Sequence, residues 1–448
     1  MRILQIVHGY PPRYNAGSEV YTQTLSRSLA KDHQVMVFTR FENPYLPPYS
    51  EMVGTDADGS DSKPVSLRLI NVPHFRDRYR HQSVDAAFAR CLDEFTPDIV
   101  HIQHLNHLST SLVKEAACRM IPIVFTLHDF WLMCPRGQFL QFFSEDGSDP
   151  LALCDCQEHR RCATHCYAPR YYSGSPDEEE SGVRQYAEWI RSRMEHVREI
   201  SAMVDVFIAP SEHLRQRFEK DFGLSHNRVE HLPYGFELKR LQGRRRLPET
   251  TRDFVFGYIG THVLAKGIHQ LLEAFPRVSG SVRLRIWGRP SAEFTPALND
   301  IHNRLPTEVR ARVTWEGEYT NHDIVQSVFN QVDAIVVPSI WLENSPLVIH
   351  EALQVRLPVI TADAGGMAEL VQHEVNGLLY EHRNPSALAN QMSRLANDPQ
   401  LAIRLGQRGY LRDSEGNVPS TDWHVAQIER IYGKVLRKRS QAGREVLA

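Results

Sequence analysis

Two carboxylates bracket a short apolar stretch in Glu343-Asn344-Ser345-Pro346-Leu347-Val348-Ile349-His350-Glu351. Ser345 is a helix-capping residue type and Pro346 suits the first helical position, so the spacing predicts a helix from Pro346 to about Val355, ahead of Pro358. A helix start presents backbone N–H groups and a partial positive charge, which suit a phosphate. Along such a helix the two acids lie on the order of 10 Å apart, so each can take hydroxyls on its own side of one phosphate site. On their own they read first as a loop charge and a solvated helix face. Glu351, however, sits among Leu347, Val348, Ile349, Ala352 and Leu353, and a carboxylate there needs a partner. Lys266 is the cation placed to neutralise a departing phosphate.

Elements must hold these groups. The 448 residues predict two domains, and a formal charge of −3 gives no global field for nucleic acid. Apolar runs at 3–8, 35–39, 67–72, 98–103, 121–128 and 204–210 read as buried parallel strands, with amphipathic stretches such as 19–30 between them. After 236–253, which is rich in arginine and reads as an exposed linker, the pattern restarts at 254–259, 284–287, 313–316, 333–337, 358–361 and 378–380. Val204-Asp205 leads to Pro210-Ser211 as Val332-Asp333 leads to Pro338-Ser339, a short echo between the halves. Residues 421–439 place Trp423, Val425, Ile428, Ile431, Tyr432 and Val435 on one helical face. Open parallel sheets bind ligands at the carboxyl ends of their strands, where Glu343 falls.

The 343–351 segment resembles the spaced-glutamate motif of family 4 of the retaining glycosyltransferases, which have the GT-B fold. Pro358-Val359-Ile360-Thr361-Ala362, Gly365-Gly366, Glu369 and Asn376-Gly377 resemble the same family, and the similarity is strongest over 254–380. The resemblance implies an α/β chain with two Rossmann-like parallel-sheet domains facing across a cleft. Residues 1–236 would be the acceptor-side domain, with a Cys-rich insert at about 134–200. Residues 237–420 would bind the nucleotide sugar, and 421–448 would pack back toward the N-terminal domain. It implies transfer, with retention, of a sugar from a nucleotide diphosphate to a glycan or lipid-linked acceptor in cell-surface polysaccharide or glycoconjugate synthesis. UDP-sugars are expected ahead of GDP- or ADP-sugars. Glu343 is expected to contact the sugar hydroxyls and Glu351 the ribose, with Asn344, Ser345, Pro346, Leu347 and Val348 around the phosphates.

The same resemblance assigns the remaining site residues. Lys266 would stabilise the leaving diphosphate, while Thr261 stands where the family usually has Arg. Gly17 belongs to a loop whose backbone would approach donor phosphate and acceptor. His128, ending a strand, would lie beside the donor sugar and the acceptor. Retaining members are thought to use front-face departure and attack, with the leaving phosphate as base. No cofactor is expected for catalysis, since Lys266 with a helix dipole can replace a metal. His101, His104 and His107 are spaced irregularly and read as structural or acceptor-side residues rather than metal ligands.

Cys154, Cys156, Cys162 and Cys166 fall within thirteen positions, with Cys134 upstream as an alternative ligand. In a reduced compartment such a set suits a structural zinc as well as it suits four unlinked thiols. The insert continues into a helix with Val183, Tyr186, Ile190, Met194 and Val197 on one face and Arg184, Arg191, Arg193 and Arg198 on the rest. The helix reads first as a core-packing one; shaping of the acceptor site, and contact with an anionic membrane surface or a partner, are the further roles the insert could take. The N-terminal apolar run is too short for a signal peptide and no stretch reaches transmembrane length, so a cytoplasmic location, or the inner face of the membrane, is expected. Two other functions stay open on the same residues: a nucleotide-sugar-binding protein without transfer activity, and a GT-B epimerase or phosphorylase.

Overall fold

The computed structural model describes residues 1–57, 63–73, 79–142, 151–168 and 175–447. Within 134–200, residues 143–150 and 169–174 lie outside the described residues. The chain divides into two compact units, Met1–Tyr234 with Thr421–Ala448, and Gly235–Ser420.

The first unit is built on eight strands: β1 (Arg2–Val7), β2 (Gln34–Phe41), β3 (Glu51–Asp56), β4 (Val65–Asn71), β5 (Ile99–Ile102), β6 (Ile123–Thr126), β7 (Val206–Ala209) and β8 (Val229–His231). They run in the order β3-β4-β2-β1-β5-β6-β7-β8. All neighbours are parallel except β3 and β4. The second unit holds β9 (Phe254–Ile259), β10 (Val282–Trp287), β11 (Val313–Gly317), β12 (Ala334–Val337), β13 (Val359–Ala362) and β14 (Gly377–Tyr380), all parallel, in the order β11-β10-β9-β12-β13-β14. The central strands are buried on both faces, which is why they read as unbroken apolar runs. The two elements without a sequence signal are the antiparallel edge strand β3, whose Met52 and Val53 are exposed, and the three-residue β8.

The echo between the halves has a physical basis. An aspartate stands immediately before β5, β7 and β12, and in each case its carboxylate accepts a backbone N–H from the neighbouring strand. Asp98 takes Arg2 N at 2.7 Å, Asp205 takes Ile123 N at 2.9 Å and Asp333 takes Val255 N at 2.9 Å. Asp333 is 1% exposed and also receives Arg246 through two bonds of 2.8 and 2.6 Å. Asp205 receives Arg439, on the helix Thr421–Leu447, at 2.8 and 3.0 Å.

Those bonds correct the reading of 236–253 as an exposed linker. Arg240 is paired with Glu351, Arg244 donates to the carbonyls of Phe329 and Val332, and Arg246 is held by Asp333. The segment is part of the second unit, fastened by its arginines. Two helical faces also differ from expectation. On Thr421–Leu447, Ile428, Ile431, Tyr432 and Val435 are buried, but Trp423 is 44% exposed and His424 lies inside instead. On Pro176–Ala202, started by a Ser175–Glu178 capping box, Val183, Ile190, Met194 and Val197 are buried, and Arg193 is buried with them. Its guanidinium stacks 4.5 Å above the Trp131 ring and donates to the Trp131 carbonyl at 2.7 Å. Among the described residues no helix is long and apolar enough to cross a membrane.

Breaking a buried ion pair strands its partner charge, so Asp333→Ala should lower unfolding stability by about 3–5 kcal/mol. Asp205→Ala, whose arginine is half exposed, should lose roughly 1 kcal/mol. Urea denaturation of the two variants tests the difference.

Candidate functional site

At the carboxyl end of β12 the chain runs through Pro338 to Pro346 before the helix Leu347–Gln354 begins. The helix starts one residue later than expected, with Pro346 in extended backbone at the cap position and no side chain capping it. The N–H groups at its start are therefore not taken by Ser345. Glu343 lies in this loop, buried, and one of its oxygens collects three donors. Oε1 accepts from Lys266 Nζ at 2.7 Å, Ser339 Oγ at 2.6 Å and Trp341 Nε1 at 2.9 Å. Lys266 Nζ also stands 5.5 Å over the Trp341 ring.

Glycine allows this loop to be packed as it is. Lys266 is followed by Gly267, which takes a left-handed conformation, and a Cβ there would fall 1.7 Å from the Pro338 carbonyl oxygen. The contact is sealed by Ile340 N donating to the Ala265 carbonyl at 3.0 Å. On the other side, a Cβ on Gly366 would lie 1.4 Å from the Asn344 carbonyl oxygen, and Gly366 N instead donates to the Glu343 carbonyl at 2.7 Å. Gly267 thus brings the lysine up to the β12 loop, and Gly366 seats the glutamate. Thr261 lies at an exposed turn whose carbonyl accepts from Tyr258 Oη at 3.2 Å.

Glu351 is buried on the same helix, and its partner is Arg240, with Nη2 2.5 Å from Oε1. Arg240 also donates to the Asn321 carbonyl at 3.3 Å. Glu369 and Asn376, quoted with the motif, do other work. Asn376 is fully buried and ties Leu370, Gln372 and Gly409 together through its amide, while Glu369 faces Arg412.

In the first unit, His128 follows β6 and both its ring nitrogens are engaged. Tyr234 Oη lies 2.7 Å from Nδ1, and Gln103 Oε1, an acceptor, lies 3.0 Å from Nε2. Nε2 therefore carries the hydrogen and Nδ1 accepts from the tyrosine. The pattern continues in one direction. Gln103 donates to Gln5 at 2.8 Å, Gln5 to Tyr432 at 3.3 Å, and Tyr432 meets His101 Nδ1 at 2.7 Å, whose Nε2 faces Thr126 Oγ1 at 2.8 Å. Burial, reinforced by nearby His104, pushes the pKa of His128 down to about 3. Beside it stand two pairs that sequence reading did not assemble. His8 Nε2 is 3.3 Å from Glu19 and His104 Nε2 is 3.3 Å from Asp129, the two imidazoles 4.5 Å apart edge to face. Their carboxylates are far from their histidines in sequence, so only the strand-end positions of His8 and His104 hinted at a meeting. Gly17 is exposed at the start of the helix Gly17–Leu29.

Cys134, Cys154, Cys162 and Cys166 lie close enough for their charges to interact, so the upstream cysteine joins three of the four singled out by spacing. Among the described residues no group of three or more His, Cys, Asp or Glu side chains is arranged to hold a metal ion. Cys156 is exposed, Cys154 is half-buried, and Cys162 and Cys166 face an apolar cluster with Tyr167, Val183, Ile190 and Met194. Burial pushes the thiols of Cys162 and Cys166 up to about 12, so they pack as small apolar groups.

The buried histidines set an acid limit. A histidine whose pKa is depressed on folding binds a proton in the unfolded chain first, so stability is present at neutral pH and is lost as pH falls below about 6.5 toward the folded value. His128, with His350 and His424 lowered to about 4 by burial, should give a decline of up to about 1.4 kcal/mol per pH unit for each group. His128→Gln should flatten that decline between pH 6 and 4 in denaturation curves. An unchanged slope would show that His128 titrates normally.

The family models agree with the geometry. Residues 15–240 match the Glycosyltransferase Family 4 model, and residues 240–412 match Glycosyl transferases group 1. An uncharacterized glycosyltransferase of Methanocaldococcus jannaschii is 22% identical over 408 residues, spanning 89% of this chain and 90% of that protein. A GDP-mannose-dependent alpha-(1-6)-phosphatidylinositol monomannoside mannosyltransferase of Mycobacterium tuberculosis is 28% identical over 232 residues, 48% of this chain and 58% of that one. Among solved structures, Anabaena HepE in complex with UDP and glucose superposes with a TM-score of 0.64 at 16% identity, over 97% of this chain and all of that one. Sucrose-phosphate synthase of Thermosynechococcus elongatus gives 0.66 at 18%, over 98% and 99%. With two mostly parallel sheets of the GT-B fold class and a family match over half its length, the chain belongs to Glycosyltransferase Family 4.

Proposed function

We propose that the protein transfers a sugar, with retention of anomeric configuration, from a nucleotide diphosphate to a glycan or lipid-linked acceptor in polysaccharide or glycoconjugate synthesis. The observation that carries this reading is the Lys266–Glu343 pair at the carboxyl end of β12, next to a helix start whose cap residue, Pro346, has no side-chain acceptor. A diphosphate placed there meets an ammonium group and a helix dipole, and the negative charge that grows on the departing oxygens is stabilised by both. Lys266 turns from Glu343 to the phosphates, and Glu343 accepts hydroxyls of the sugar. Glu351, near the same helix, takes the ribose hydroxyls in place of part of its contact with Arg240. The reaction needs no side chain to form a covalent bond: the leaving phosphate takes the acceptor's proton on the face from which it departs. Three of the matched solved structures carry UDP and a fourth UDP-glucose, against one with ADP, which favours a uridine donor, and the mycobacterial relative's GDP-mannose makes guanosine the second choice.

A thermal-shift screen of UDP-, GDP- and ADP-sugars should give one nucleotide that raises Tm, followed by product formation from the labelled donor. On that donor, Lys266→Ala should lower kcat by roughly 10²–10³-fold. Glu343→Gln should lower it with little change in UDP affinity, and Glu351→Ala should raise KM. Full turnover by both Lys266→Ala and Glu343→Gln would remove the assignment.

A further inference from the structure

The first unit holds a buried cation, Arg40, two of whose nitrogens find no acceptor among the described residues. The parallel register of β1 and β2 ends at Val7 opposite Thr39, so the next residues, His8 and Arg40, emerge side by side at the carboxyl end of the sheet. The Arg40 side chain is 5% exposed, yet among the described residues its Nε and Nη1 have no hydrogen-bond acceptor. The carboxylate in ion-pair range is Glu42, 3.7 Å from Nη1, which is too long for a hydrogen bond, and Glu42 is 43% exposed. A guanidinium left this way loses its hydration without gaining acceptors for those hydrogens, a cost that an incoming oxyanion relieves.

His8 has a matching vacancy. Its Nδ1 is buried without a partner, while Nε2 faces Glu19. Burial would raise the carboxyl of Glu19, but the His8 contact and the Ser18 hydroxyl bring it down to about 2. The ionised carboxylate holds the hydrogen on Nε2. Burial, with His104 next, keeps the ring below its ordinary pKa, so Nδ1 offers a lone pair.

The surroundings are built rather than incidental. The Tyr14 ring lies 5.0 Å over the Arg40 guanidinium and folds onto Gly9, where a Cβ would fall 2.8 Å from Tyr14 Cβ. Tyr14 N donates to the Tyr10 carbonyl at 3.3 Å, and Tyr10 Oη donates to Asp56 at 2.8 Å. Asp56 is in turn held by Arg27 at 2.9 and 2.7 Å. A roof fixed at this many points over an unsatisfied cation is what an anion site requires.

We propose that Arg40 and His8 form an oxyanion subsite that selects an acidic sugar as acceptor, the guanidinium taking its carboxylate or phosphate and His8 Nδ1 accepting a neighbouring hydroxyl. The proposal rests on reading the first unit as the acceptor-binding one. Arg40 supplies charge-assisted donors, and His8 supplies the one acceptor a hydroxyl needs, so an oxyanion beside a hydroxyl fits where a neutral sugar leaves the guanidinium unpaired.

Two measurements test it, both with saturating UDP so that the donor phosphates do not compete. Tungstate soaked into crystals of the wild-type protein should give an anomalous peak within hydrogen-bond reach of Arg40. Glucuronate should raise Tm where glucose at matched ionic strength does not. Arg40→Gln should weaken the apparent glucuronate affinity about tenfold or more, Arg40→Lys should retain part of it, and UDP affinity should stay within about twofold in both. Tungstate found only elsewhere, or a glucuronate response that survives Arg40→Gln, overturns the subsite. Should Arg40→Gln fail to fold, the tungstate result on wild-type protein decides. Failure of the wild-type protein to bind any sugar nucleotide would instead count against the transfer reaction, and leaves the tungstate readout at Arg40 to stand by itself.

Discussion

A buried carboxylate survives only where donors crowd it, and the Glu343 oxygen that gathers a lysine, a serine and a tryptophan is the point around which the second unit is arranged. The donors come from two loops, one after β9 and one after β12, which must approach backbone to backbone. Gly267 and Gly366 supply that approach, because a single added carbon at either would overlap a carbonyl oxygen. The same packing keeps Ser339 and Trp341 inside, so the lysine is aimed by the fold rather than by its own flexible stem. What a ligand has to displace is therefore one ion pair. The frame beneath it, made of backbone contacts, stays as it is.

The parallel strands were legible because burial on both faces leaves an unbroken apolar run. The edge strand β3 was not, since its exposed Met52 and Val53 carry no alternation against a core. The arginine-rich stretch 236–253 was misread for a related reason. A run of cations normally means solvent, and the groups that bury these (Asp333, Glu351 and the carbonyls of Phe329 and Val332) stand some eighty to over a hundred positions away. Arg193 is the same case on a helix, its charge spread against the Trp131 ring.

At the site, residue types were readable and pairings were not. Glu343, Lys266 and Glu351 stand out by their neighbours, and Gly365-Gly366 by its resemblance. That Lys266 meets Glu343, or Arg240 meets Glu351, depends on loops joined through the sheet. Cys162 and Cys166, one helical turn apart, share a face with an apolar cluster, and Cys134 and Cys154 approach them from elsewhere in the chain, a convergence that spacing alone only hinted at.

His128 shows how much a hydrogen-bond direction can decide. Its two nitrogens are committed by Tyr234 and by the amide of Gln103, and that amide is oriented by Gln5, which is oriented by Tyr432 on the last helix of the same unit. To accept a proton, the ring would have to put an N–H against the Tyr234 hydroxyl hydrogen, which forces that buried hydroxyl to turn. The low pKa is the thermodynamic form of the same constraint. A histidine held in this way contributes shape and a fixed N–H dipole but not acid–base chemistry. Under the proposed reaction the acceptor's proton then has to leave by another route, and the oxygens of the departing diphosphate, growing more basic as the bond to the sugar lengthens, are the group whose affinity for it rises at the right moment.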